Sequence, residues 1–139
     1  MKNVLVLCTG NSCRSIMAEA LINVDLGDKG VCAYSSGTSP KDRANPKALA
    51  TLQENGLDTH GLHAKPLSEV LIRDYDLVVT VCDNAKEACP IFPGKTRVIH
   101  VGFEDPDDQG DAAFQACFEA IRKTLIPSVA AELGLYEGD

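Results

Sequence analysis

Val4-Leu5-Val6-Leu7-Cys8-Thr9-Gly10-Asn11-Ser12-Cys13-Arg14-Ser15 passes from an unbroken apolar run through a polar, glycine-bearing loop into a helical pattern. Val4 to Leu7 have the character of a buried strand, so Cys8 stands at its carboxyl end, where open α/β sheets place their ligands. Cys8 and Arg14 form a Cys-x5-Arg arrangement. The residues between them, Thr9, Gly10, Asn11, Ser12 and Cys13, can curl so that successive backbone N–H groups point at one tetrahedral anion. Gly10 and Asn11 are the types that tolerate the left-handed backbone of such a nest. Arg14 adds a planar fork that grips two oxygens, and the first turn of the helix opening near Ser15 adds its positive dipole end.

A thiol facing inward N–H groups, an arginine and a helix N-terminus is expected to ionise well below the ordinary value of about 8.5, which makes Cys8 a nucleophile. The competing reading is a small apolar filler at a strand end. A filler has no need of the surrounding loop, Arg14 and Ser15. A nucleotide-binding Walker loop is excluded because it requires Gly-Lys-Ser/Thr, and this loop has no lysine.

With 139 residues and 45% hydrophobic content, residues 1–139 are expected to form a single domain with a real core. No apolar run reaches the roughly 18 residues of a membrane span, and the first residues read as a strand rather than a cleavable leader. A cytoplasmic protein is expected. A net charge of −7 argues against nucleic acid or an anionic membrane as a partner, so an anionic substrate must be captured by local positive potential. Six cysteines suggest redox chemistry more than disulfide staples, since a chain that buries its own core needs none. His60, His63 and His100 do not fall at zinc-ligand spacing with any cysteine pair, so no metal is expected. No bound cofactor is expected either, and the chain is expected to act as a monomer.

Beyond the loop, a helix is predicted from Ser15 to about Leu26, a strand from Val31 to Ser35, and a helix capped by Asn45-Pro46 that stops at Asn55-Gly56. A shorter helix follows at Leu67 to Ile72, then strands at Leu77 to Val81 and Val98 to Val101. The last helix, about Asp111 to Leu133, carries Phe114, Cys117, Phe118, Ile121 and Leu125 on one face, with Pro127 marking a kink or break. Strands alternating with helices predict an α/β fold: a four-stranded parallel sheet with helices on both faces and the site at the strand ends beside Cys8.

Cys82, at the end of the third strand, reaches the same sheet edge as Cys8, and Cys89 follows in Cys82-Asp83-Asn84-Ala85-Lys86-Glu87-Ala88-Cys89-Pro90. Two thiols beside a reactive thiolate permit a relay in which Cys8 takes up an oxidant, Cys82 attacks Cys8, and Cys89 attacks Cys82. The alternative is that both are small fillers of a helix. Were residues 83–88 helical, Cys82 and Cys89 would stand about 10.5 Å apart along the axis, beyond the roughly 7 Å a disulfide tolerates, so oxidation would unwind the segment. Cys32 and Cys117 read as core, and Cys13 has no obligatory role. Asp105, in Phe103-Glu104-Asp105-Pro106, returns to the same edge and is either an acid for a leaving oxygen or an ordinary turn aspartate.

With these residues in place, the chain resembles the thioredoxin-coupled arsenate reductases built on the low-molecular-weight phosphotyrosine phosphatase fold. The resemblance runs through Cys8 to Ser15, Met17-Ala18-Glu19-Ala20, Ser35-Ser36-Gly37, the Cys82-x6-Cys89-Pro90 segment and Asp105-Pro106. It implies arsenic detoxification: Cys8 attacks arsenate held by Arg14, Ser15 and the loop amides, and Asp105 helps water leave. Cys82 then releases arsenite by forming a disulfide with Cys8, and Cys89 takes over that disulfide and presents it to thioredoxin, the external reductant. It further implies that Asn11 holds the loop's shape and Ser15 assists the nucleophile. Family members that bind potassium near this loop carry a carboxylate at the position of Lys65; a lysine there supplies the charge itself, so no specific potassium site is expected. The rival on the same fold is a phosphotyrosine phosphatase, and the resemblance also implies a weak phosphatase side activity. Such enzymes flank the site with aromatic rings, whereas Asp107-Asp108 follow Asp105-Pro106 and residues 36–43 contain no aromatic. A phosphocysteine carrier, the reading from another class, needs neither Arg14 nor Cys89.

Overall fold

A computed structural model describes residues 2–82 and 95–135. In chain order the elements are β1 (Lys2–Cys8), α1 (Arg14–Leu26), β2 (Val31–Gly37), α2 (Pro46–Glu54), α3 (Leu67–Val70), β3 (Leu77–Thr80), β4 (Val98–His100), α4 (Asp111–Ala120) and α5 (Ile126–Glu132). The strands pair in parallel, in the order β2-β1-β3-β4. This is the predicted α/β sheet.

The apolar run of β1 lacks alternation because both faces of the strand are covered. Val4, Val6 and Cys8 enter the main core with Leu77 and Val79 of β3, Ile16, Met17 and Leu21 of α1, Leu52 of α2, and Phe114 and Phe118 of α4. Leu5, Leu7 and Val78 enter a second cluster with Val70 and Tyr75. At roughly 2 kcal/mol for each large apolar side chain removed from water, the main core dominates the hold on the sheet. Helices therefore lie on both faces, but unequally: among the described residues, only the single turn of α3 packs against the second.

Local signals explain most boundaries. Asn45 caps α2, its side chain accepting the Lys47 N–H at 2.8 Å, with Pro46 in the first helical position. β2 runs on to Gly37, which pairs with Cys8 and so brings the end of β2 level with the reactive loop. β3 stops at Thr80, although the Val81 N–H still reaches the Leu7 carbonyl at 3.0 Å. α3 ends at Val70, leaving Leu71 and Ile72 exposed.

The last helix is not continuous. Between α4 and α5, Ile121–Leu125 form a π-helical turn in which the Ile126 N–H donates to the Ile121 carbonyl. Pro127 has no N–H and its ring would crowd the preceding turn, so a widened turn just before it is the local solution. Phe114, Cys117, Phe118, Ile121 and Leu125 are buried as predicted. Cys32 differs from expectation. It is half-buried rather than core, because β2 alternates and Cys32 shares with Tyr34 the less covered face, its Sγ lying 3.2 Å from the Tyr34 hydroxyl. Cys89, and the 83–88 stretch whose unwinding is expected, lie outside the described residues. Among the described residues, no helix is long and apolar enough to cross a membrane.

Candidate active site

The loop after β1 is shaped from outside. The Ser39 N–H donates to the Thr9 carbonyl at 3.0 Å, Lys41 N–H to the Gly10 carbonyl at 3.0 Å, and Asn45 N–H to the Ser12 carbonyl at 2.9 Å. In a trans peptide the carbonyl and the following N–H point opposite ways. Holding those carbonyls outward therefore turns the amides of Gly10, Asn11 and Cys13 toward the inside of the loop. Close approach of β2 makes this possible: a Cβ on Gly37 would stand 2.4 Å from the Thr9 carbonyl oxygen.

Asn11 fixes the loop from below. It adopts φ 47, the left-handed conformation expected of it, and is fully buried. Its amide group donates to Ser15 Oγ at 2.8 Å and Ser35 Oγ at 2.9 Å, while its Oδ1 accepts the Lys65 N–H at 2.8 Å. Gly10 departs from the expectation, since its φ is not left-handed. Its missing side chain instead makes room for Lys41, whose Cε and Cγ would lie 3.3 and 3.4 Å from a Cβ there.

Cys8, buried and outside any disulfide, opens a cavity of about 250 Å³ lined by the loop from Thr9 to Arg14 together with Ser39, Lys41 and Asp105. Arg14 is the first residue of α1, and no side chain caps that helix, so its leading N–H groups remain available to an anion. The guanidinium is buried; Nη1 donates to the Phe103 carbonyl at 3.1 Å and Nη2 lies 3.7 Å from Asp105 Oδ2. Asp105 is half-exposed at the mouth, and its Oδ1 accepts the Asp107 N–H at 3.0 Å. Ser12, in the lining, and Ser15, outside it, are both buried. Burial pushes the Cys13 thiol up to about 11 and the Cys117 thiol up to about 12, so both are protonated at neutral pH.

Cys82 is fully buried in the same core as Cys8 and is disulfide-bonded. β1 and β3 are neighbours with Leu7 opposite Thr80. Cys82 follows the end of β3 by two residues, and Cys8 follows Leu7 by one, so both leave the sheet at the carboxyl ends of neighbouring strands. Of the predicted site residues in the described segments, Cys8 to Arg14 and Asp105 line one cavity, while Ser15 and Cys82 are buried outside its lining.

Lys65 is buried behind the loop, its ammonium 3.1 Å from the His63 carbonyl, 3.4 Å from Glu19 Oε1 and 3.5 Å from Ser35 Oγ. Ser35 Oγ in turn donates to Glu19 at 2.5 Å. A protein-borne cation thus sits where Asn11, Ser35 and Glu19 converge. Among the described residues, no three His, Cys, Asp or Glu side chains gather as metal ligands.

Sequence reading missed Ser39 and Lys41, which line the cavity from the β2–α2 connection. Their one sequence signal was topological, since any segment leaving the carboxyl end of a strand beside β1 lies at the ligand edge.

This site sits in a chain with clear relatives. An arsenate reductase 2 of Staphylococcus epidermidis is 38% identical over 127 residues, 91% of this chain and 95% of that protein. The solved arsenate reductase of Archaeoglobus fulgidus superposes with a TM-score of 0.81 at 29% identity, covering 91% of this chain and 98% of its own. A thioredoxin-dependent arsenate reductase of Corynebacterium glutamicum gives a TM-score of 0.75 at 28% identity, with 97% of this chain and 63% of that one covered. The model of the low molecular weight phosphotyrosine protein phosphatases matches residues 3–134, and this chain belongs to that family.

Proposed function

We propose that this enzyme reduces arsenate to arsenite with thiol electrons and is recycled by thioredoxin. The observation that carries this reading is the meeting of Cys8, in an amide cradle closed by Arg14, with Cys82 at the adjoining strand end. The arsenate reductase relatives support it further.

Arsenate enters with its oxygens on the loop amides from Thr9 to Ser15 and on the Arg14 fork. Cys8 thiolate attacks arsenic, an As–S bond forms, and one oxygen leaves as water with the proton supplied by Asp105. Asn11 keeps the loop in shape, and Ser15 lies one hydrogen bond from it. Cys82 then attacks the sulfur of Cys8. The S–S bond forms as the As–S bond breaks, and its electron pair stays on arsenic, so As(V) becomes As(III) and two thiols are oxidised. Cys89 attacks Cys82 and regenerates Cys8; the dithiol of thioredoxin reduces the remaining disulfide. A disulfide-bonded Cys82 beside a Cys8 outside any disulfide fits the stage after Cys8 has been released. All groups come from one chain, so a monomer in the reducing cytoplasm suffices, with no bound cofactor or metal. The acidic, ring-free rim at Asp107-Asp108 disfavours the phosphatase alternative as the main activity, though the cradle also suits slow hydrolysis of small aryl phosphates.

The test is arsenate-dependent NADPH oxidation with thioredoxin and thioredoxin reductase, repeated with glutaredoxin and glutathione. Turnover with the first pair alone is expected. Absence of turnover with either, alongside brisk aryl phosphate hydrolysis, would move the chain to the phosphatases.

A further inference from the structure

Lys41 and Asp107 stand across the mouth of the cradle. Lys41 is tied down twice: its N–H bonds the Gly10 carbonyl at 3.0 Å, and its stem packs over Gly10. Its ammonium reaches Asp107 Oδ2 at 3.1 Å. Asp107 in turn accepts from the Asn45 side chain at 3.2 Å through Oδ1, while its N–H holds Asp105 at 3.0 Å. One aspartate therefore links the β2–α2 connection, the cap of α2 and the candidate acid. Lys41 lines the reactive cavity and Asp107 does not.

We propose that Lys41 is a specificity-determining residue whose ammonium passes from Asp107 to the outermost oxygen of a bound tetrahedral anion, so that free inorganic oxyanions are preferred over their organic esters. This rests on the reading of the cradle as an oxyanion site. Amides and Arg14 surround the inner oxygens, and the remaining oxygen faces the mouth, between Asp105 and Lys41. In an inorganic oxyanion it bears negative charge or a proton; in an ester it bears carbon and offers a cation little. Lys41 has three donors and spends one on Asp107. The pair is half-exposed, with side-chain exposures of 54% and 31%, and such pairs are weak, so exchanging the carboxylate for a second anion is cheap.

The two partners of the pair give the test its sign. If the bridge only braced the fold, removing either end would act in the same direction. If Lys41 serves the anion and Asp107 competes for it, the two substitutions act oppositely. NMR titrations with inorganic phosphate and with phenylphosphonate, whose outer position carries carbon, separate the cases without any turnover. Lys41→Met keeps the stem on Gly10 and is expected to weaken phosphate about tenfold, with less than a threefold effect on phenylphosphonate. Asp107→Ala retains its N–H to Asp105 and is expected to tighten phosphate severalfold. Lys41→Arg should restore most of the affinity. Equal weakening of both ligands by Lys41→Met, or weaker phosphate binding in Asp107→Ala, would overturn the proposal. Expected titrations in a protein that fails to reduce arsenate would leave Lys41's role standing and remove the assigned reaction.

Discussion

Single side chains carry unequal shares of this site. Cys8→Ser replaces the proposed sulfur nucleophile by a far weaker hydroxyl, so arsenite formation in the thioredoxin-coupled assay is expected to fall to background; measurable arsenite would remove Cys8 as nucleophile. Lys65 carries a different burden. Its ammonium and the Glu19 carboxylate are both largely buried, with side-chain exposures of 7% and 14%. Removing one partner of such a pair leaves a charge uncompensated, at a cost of about 3 kcal/mol. Lys65→Met should therefore lower Tm by roughly 10 °C in thermal melts. Because lysine already supplies the positive charge, the melting point of the native chain should be the same in potassium and sodium chloride at equal ionic strength. A rise specific to potassium would show that the ammonium does not fill that role.

Between elements, the decisive contact is where the end of β2 meets the loop after β1. Any side chain on Gly37 collides with backbone rather than with a movable side chain, since its Cβ would also lie 3.1 Å from Asn11 N. Gly37→Ala must push the loop away from its outer hydrogen bonds. Phosphate affinity and arsenate kcat/KM are both expected to drop at least tenfold, with a lower Tm; an unchanged kcat/KM would mean the loop keeps its shape without this approach. The same contact marks a limit of sequence reading. Ser35-Ser36-Gly37 carries a glycine but nothing that names its partner, because a steric requirement between distant segments leaves no local pattern. By contrast, the strand, the Asn45-Pro46 cap and the Cys-x5-Arg loop were legible, each being a short-range preference of the backbone.

At the scale of the whole molecule, the parallel sheet brings together residues far apart in the chain. Alternating strands and helices made that edge predictable, and with it the positions of Cys8, Cys82 and Asp105. What the pattern could not supply was the second tier of contacts: that Arg14 holds the Phe103 carbonyl, that Asp107 collects three rim segments, or that Cys32 faces a thinly covered side of the sheet. Those depend on side-chain directions fixed only after packing. The topology also makes the two halves of the reaction separable. Cys82→Ser and Cys89→Ser leave the cradle intact, so each is expected to bind phosphate and hydrolyse a small aryl phosphate at rates near the native ones while multiple turnover of arsenate stops. Steady thioredoxin-coupled turnover by Cys89→Ser would mean the disulfide is passed on by another route.

The π-helical turn ahead of Pro127 has a consequence for helical phase. At about 100° per residue, an unbroken α-helix would carry Ile126 roughly 120° away from Phe114, off the apolar stripe. The wider turn holds the chain back by about one residue's rotation, and Ile126 and Val129 are both buried. The irregularity thus resets the angular register of the C-terminal segment. Deleting one residue from Ile121–Leu125 would let the helix close into regular α geometry with Ile126 and Val129 at nearly the same angle and height, so the wide turn is where this helix carries one residue more than its packing needs.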